Sequence, residues 1–157
     1  MDILMENMGR VNYGPMLNYQ RKGIDGCVVL NNRYSQHNWI TYCLPLDNLE
    51  NLHWDAGYTE GQPSFYKFNF YVNERNDTFL DFDGWGKGVA YINGFNLGRF
   101  WEVGPQRRLY LPGSLLKRGK NEIILFETEG KYTDFVSLED KPDLGETKNV
   151  IYKEVLT

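Results

Sequence analysis

Two pairs of carboxylates come first among the residues that could do chemistry. Asp81 and Asp83 stand at i and i+2, and so do Glu127 and Glu129. Two carboxyl groups about 5 Å apart across a glycosidic bond can serve as acid and nucleophile. At this spacing on a strand, such pairs are more often a solvated edge or the ligands of a turn. Neither pair reads as an assembled catalytic centre. His37 and His53 lie in different segments, and neither has a Cys or His neighbour at metal-ligand spacing, so no metal site is expected. The GWGKG run at 84–88 fits neither the dinucleotide nor the phosphate-loop pattern, and no nucleophile elbow occurs. No cofactor is expected.

Aromatic residues offer the second kind of chemistry. The stretch GWGKGVAYINGFNLGRFW (84–101) holds Trp85, Trp101, three further aromatics and five glycines. Trp85 and Trp101 could stack on the apolar face of a sugar ring, or they could fill a β core. Arg99 could contact a sugar. The bland reading bonds its guanidinium to backbone carbonyls, or to a carboxylate such as Asp81 or Glu102. Trp54 lies in a polar, Gly-containing loop at 47–63, as a sugar platform or a plug over the sandwich end. Arg10, Asn12 and Tyr13 form a third cluster on a strand-to-loop exit, where functional residues are often found.

The elements that must position these residues are strands. Helical periodicity is almost absent, and short alternating runs bounded by turn residues recur. The expected strands are 3–7, 26–30, 39–44, 65–72, 78–83, 89–92, 95–100, 108–111, 122–127, 135–138 and 150–153. In 65–72, Tyr66, Phe68, Phe70 and Val72 share the packed face, and Phe65, Lys67, Asn69 and Tyr71 share a largely wet one. Asn93-Gly94 specifies a type I′ hairpin turn. Gly86, Gly88 and Gly98 mark bulges or close backbone approaches. The SLLKRG run (114–119) predicts one helical turn with Ser114 as its cap and Gly119 as its stop. A second loop spans 139–149. The fold expected is all-β: a jelly-roll sandwich of two antiparallel sheets.

The bulk numbers agree with one such domain. The chain has 157 residues, of which 41% are apolar and 24% charged, with a net charge of −4. That balance argues against a nucleic-acid partner. No run is long enough to span a membrane, and MDILMEN lacks the features of a signal peptide. A cytoplasmic location of bacterial type is the resulting expectation. Cys27 and Cys43 sit in apolar runs and read as buried free thiols.

Several motifs resemble family 35 glycoside hydrolases, the β-galactosidases. They are DILMENMGRVNYG (2–14), GCVVL (26–30), WITYCLPL (39–46) and, above all, the long block from Asp77 to Glu127. In that block WGKG, INGFNLGRFW, GPQ and LYLP follow the family's order. The resemblance implies the C-terminal galactose-binding-like β domains. It also implies that the catalytic barrel with its two glutamates belongs to another part of such an enzyme. No catalytic residue can then be assigned here. Residues 1–36 read as lead-in strands, the end of a preceding β domain, and residues 37–157 as the jelly roll. Two functions stay open. One is a non-catalytic accessory domain that packs against the barrel, with Arg10, Asn12 and Tyr13 at that interface. The other is an independent carbohydrate-binding module for galactose-containing sugars.

Overall fold

The computed structural model describes residues 1–9, 11–54 and 57–145. Its strands are β1 (Val28–Leu30), β2 (Tyr34–Gln36), β3 (Ser64–Val72), β4 (Thr78–Asp81), β5 (Lys87–Ile92), β6 (Phe95–Trp101), β7 (Arg108–Leu111), β8 (Gly119–Glu127) and β9 (Ser137–Glu139). Among the described residues the only helical element is a short 3-10 turn, Gly113–Leu115. The chain divides into two compact units, one from Met1 to Pro45 and one from Leu46 onward.

The second unit is a β-sandwich. One sheet has the order β3-β8-β5-β6, the other β7-β4-β9, and every pairing is antiparallel. Alternation decides which side chains meet between the layers. Tyr66, Phe68, Phe70 and Val72 of β3 pack against a buried cluster that includes Leu80, Ala90, Ile92, Phe100, Leu111, Ile123 and Leu125. Large apolar side chains buried in this way each stabilise the fold by about 1.5–3 kcal/mol. Close approach needs glycine at one point. A Cβ at Gly88 would collide with the Phe126 carbonyl oxygen and lie 2.7 Å from the Phe100 ring.

The β5–β6 hairpin turns at Asn93-Gly94, where φ is 51° and 85°, as a type I′ turn requires. Its register shifts once: Ala90 faces Gly98 while Tyr91 faces Asn96, so Leu97 is the extra residue of a bulge. The 3-10 turn after β7 begins one residue early, at Gly113. Ser114 does not cap it; Asp77 does that work, accepting from the Gly113 N–H at 2.8 Å.

Three further expectations need correction. The runs 3–7 and 39–44 form no strand, because no described segment offers them a ladder, and an apolar run without a partner does not make a strand. Cys27 and Cys43 are both exposed, since their runs are not covered by a second layer. The outer face of β3 and its neighbours is less wet than the alternation implied. Phe65 stacks on Phe126 at 4.4 Å, and Ile124 and Tyr91 are buried. The strand expected at 150–153 lies outside the described residues.

The first unit holds the β1–β2 hairpin, with Leu30 facing Tyr34. Asn31 and Asn32 take positive φ at its turn, and the Arg33 N–H donates to the Leu30 carbonyl at 3.0 Å. Among its described residues none is buried.

Candidate functional site

One carboxylate of each pair has structural employment. Asp81 accepts from Arg108 Nε at 2.7 Å, and its other oxygen accepts from the Asp83 N–H at 3.1 Å. The Arg108 guanidinium is held further above its usual range, chiefly by that Asp81 bond. Glu127 is fully buried. Its oxygens accept from the backbone N–H groups of Lys87, Glu129, Gly130 and Lys131 at 2.6–3.3 Å. A carboxylate surrounded by backbone donors organises a turn rather than moving a proton onto a substrate. Among the described residues, no three His, Cys, Asp or Glu side chains gather as metal ligands would.

The four sugar-contact candidates end up in three places. Trp85 is 1% exposed and belongs to the core. Tyr66 meets it edge-on at 4.9 Å and Phe68 at 6.0 Å, and its indole N–H donates to the Phe135 carbonyl at 3.0 Å. Trp101 is half-buried at the far end of the hairpin, with Lys87 at 5.4 Å and Arg99 at 5.0 Å from its ring centre. Arg99 therefore stacks on an aromatic ring, an arrangement the sequence reading did not anticipate. The carboxylates it was expected to meet are engaged elsewhere, Asp81 by Arg108 and Glu102 by Lys131.

Trp54 stands in a different setting. It is 40% exposed, and the Lys67 ammonium lies 5.1 Å from its ring centre. Lys67 also pairs with Glu122 at 2.6 Å across β3 and β8. Together these residues border an open cleft of about 780 Å³ on the outer face of the four-stranded sheet. The segment from Leu46 to Glu50 forms its other bank. Burial, and next the nearby Asp47 carboxylate, pushes the Tyr91 phenol above its usual range. One wall is rigid. Asn93 donates from Nδ2 to the Leu115 carbonyl and to Asn121 Oδ1, both at 2.9 Å. Asn121 accepts from the Lys117 N–H at 2.8 Å and donates to the Lys117 carbonyl at 2.7 Å. The sequence reading named Trp54 but missed this cleft, because its walls come from five separated segments.

In the first unit, Asn12 and Tyr13 are exposed, Tyr13 at 91%. Arg10 lies outside the described residues.

The comparisons with known proteins follow the same division. Residues 63–121 match the family model described as "Beta-galactosidase, galactose-binding domain". Residues 1–46 match "Beta-galactosidase, first all-beta domain". The chain is 48% identical over 135 residues to Beta-galactosidase 1 of Dictyostelium discoideum, which covers 80% of this chain and 20% of that protein. It is 42% identical to Beta-galactosidase 17 of Arabidopsis thaliana, covering 87% of this chain and 22% of the relative. It is 38% identical to the human Beta-galactosidase-1-like protein 2, covering 94% of this chain and 24% of the relative. The chain thus spans about a fifth to a quarter of the length of the curated relatives it matches. An all-β sandwich that carries these motifs defines a galactose-binding-like domain. The chain belongs to the β-galactosidase family of glycoside hydrolases, and within it to the β domains.

Proposed function

We propose that this chain is the non-catalytic C-terminal portion of a β-galactosidase, and that it packs against the enzyme's catalytic barrel and shapes it. One observation carries the reading: the apolar surface left open on residues 1–45. Ile3, Met5, Met8, Val11, Tyr13 and Met16 are each at least 40% exposed. Soluble proteins seldom leave so many large apolar side chains of one segment uncovered, and large exposed apolar surfaces mark contact sites. The carboxylates' structural roles fit the same reading, since acid and nucleophile would then come from the barrel.

Making the chain and the remaining portion of such an enzyme separately tests the proposal. The two should associate in light scattering, and the chain should raise the partner's thermal stability. Met5→Glu with Val11→Glu should weaken that association without disturbing the 46–145 sandwich. A partner that is fully active and stable alone, and ignores the chain, would defeat the proposal.

A further inference from the structure

A sheet edge that no strand covers is a row of unpaired main-chain donors and acceptors, and proteins either protect such edges or pair them with another chain. Among the described residues the sandwich has four edge strands, β3 and β6 in one sheet and β7 and β9 in the other. Three of them are protected. β6 carries the bulge at Leu97, followed by Gly98 and Arg99. β7 has four residues, starts at Arg108 and runs into Pro112. β9 has only three residues. β3 has none of these devices. It runs for nine residues without Gly, Pro or a shift of register, a length of about 30 Å.

The open side of β3 is unused. Among the described residues, no hydrogen bond outside its ladder with β8 engages its main chain. The lead-in segment continues the line of the strand, with the Gly61 N–H donating to the Gly130 carbonyl beyond β8 at 3.3 Å. The packed face is incomplete at this rim as well. Tyr66, Phe68 and Phe70 point between the layers and pack on the core, yet each stays only half-buried. The layer ends there one strand short of covering its own aromatic rings. Lys67 is the one charged residue of β3, and Glu122 of the same sheet holds it at 2.6 Å. Little charge is left to repel a neighbouring strand.

We infer that β3 is a self-association edge, on which a second copy of this chain pairs its own β3 in antiparallel fashion about a two-fold axis at Phe68. Self-pairing is a strict condition, because each residue must suit its mirror image across the axis. β3 meets that condition. With the axis at Phe68, Phe65 faces Tyr71 of the second copy, Tyr66 faces Phe70, Lys67 faces Asn69 and Phe68 faces its own equivalent. Aromatic cross-strand pairs stabilise a sheet, and like charges directly opposite destabilise it. Moving the axis to Lys67 would set two lysines against each other. Moving it to Asn69 would leave two residues of each strand without a partner. This two-fold match favours a second copy over a strand of unrelated sequence. A single strand edge is a small contact, so the dimer should be weak, with Kd on the order of 10–100 µM. The inference does not rest on contact with a catalytic barrel.

Sedimentation of the full chain across a range of micromolar concentrations tests it. A monomer–dimer equilibrium is expected, and amide exchange in β3 should slow as the concentration rises while exchange in β6 does not change. Asn69→Lys lies on the exposed face, opposite Glu122 in its own sheet, so the monomer should melt as before. In the dimer it sets the introduced lysine against Lys67 of the other copy twice over, and association should weaken about tenfold or more. Adding Lys67→Asn to Asn69→Lys returns an asparagine to face each lysine and should restore the dimer. That rescue is specific to this register, and a role in monomer stability alone would not produce it. Met5→Glu with Val11→Glu should leave the dimer unchanged. The inference is overturned by a chain that stays monomeric, by a dimer indifferent to Asn69→Lys or not restored by the double variant, and by a dimer lost through Met5→Glu with Val11→Glu. Protection of β3 by the separately made partner portion, with no self-association, would also overturn it and would give the edge to that portion. Binding of the partner portion is measured independently, so failure here leaves the accessory reading standing, and the reverse also holds.

Discussion

At the residue scale, Glu127 illustrates how one group can look like chemistry and serve architecture. Its carboxylate gathers four backbone N–H groups from β5 and the turn after β8. Glu127→Ala leaves those donors without a partner inside the fold. The loss expected is about 3 kcal/mol or more, read as a lower urea midpoint at unchanged slope. Asp77 offers a pH test. It accepts from Tyr110 Oη at 2.6 Å and from the Gly113 N–H, and these bonds, the Tyr110 one first, hold its carboxyl below the usual carboxylate range. A depressed folded value means that the stabilisation is present above about pH 4 and is lost as pH falls through that folded value. Asp77→Asn keeps an acceptor for Gly113 but removes the titration. Unfolding midpoints of the two proteins should therefore converge as pH falls from 5 towards 2.5. A constant difference across that range would contradict the assignment. The sequence drew notice to both carboxylate pairs and read them as edge or turn residues rather than as a catalytic centre. It could not show that Arg108 engages Asp81 and a ring of backbone donors engages Glu127, because those partners lie 27 residues away or are main-chain groups.

At the element scale, two glycines of the β5–β6 hairpin are needed for different reasons. Gly94 has open space around it but takes φ of 85°, so Gly94→Ala should cost only about 1 kcal/mol of left-handed strain. Gly88 has an ordinary φ but no room, because β8 backbone and the Phe100 ring fill the space a Cβ would need. Gly88→Ala should cost about 3 kcal/mol or more by forcing the strands apart. Thermal denaturation of both variants checks the order; a larger loss at Gly94 would refute it. The hairpin was legible because its signals are local: Asn-Gly at the turn and alternation on either side. The runs at 3–7 and 39–44 are apolar and strand-like in composition yet form no strand, since pairing depends on a neighbour that local composition cannot reveal. The short β1–β2 hairpin had a local signal in Asn31-Asn32, two residues that tolerate positive φ, and it went unread.

At the scale of the whole molecule, the two units differ in how they are held. The sandwich from Leu46 onward has a buried cluster spanning both of its sheets, whereas no described residue of 1–45 is buried. Limited proteolysis should therefore cut within 1–45 well before it cuts between Ser64 and Glu139. A chain beginning at Leu46 should still unfold in one cooperative transition. Early cleavage inside β3 or β8 would count against this division. Fold class was readable from the aromatic alternation and from the order of the family's motifs. The cleft was not, because segments 46–50, 54, 67–69, 93–94 and 117–124 meet only once the sheet has formed. The placement of Trp85 has a practical sequel. Of the four tryptophans, Trp39 and Trp54 are open to solvent and Trp101 is half-covered, while Trp85 is sealed among aromatic rings. The protein therefore carries an internal optical gauge. Acrylamide should quench the red-shifted share of its emission first and leave a blue-shifted remainder that vanishes only when the sandwich comes apart.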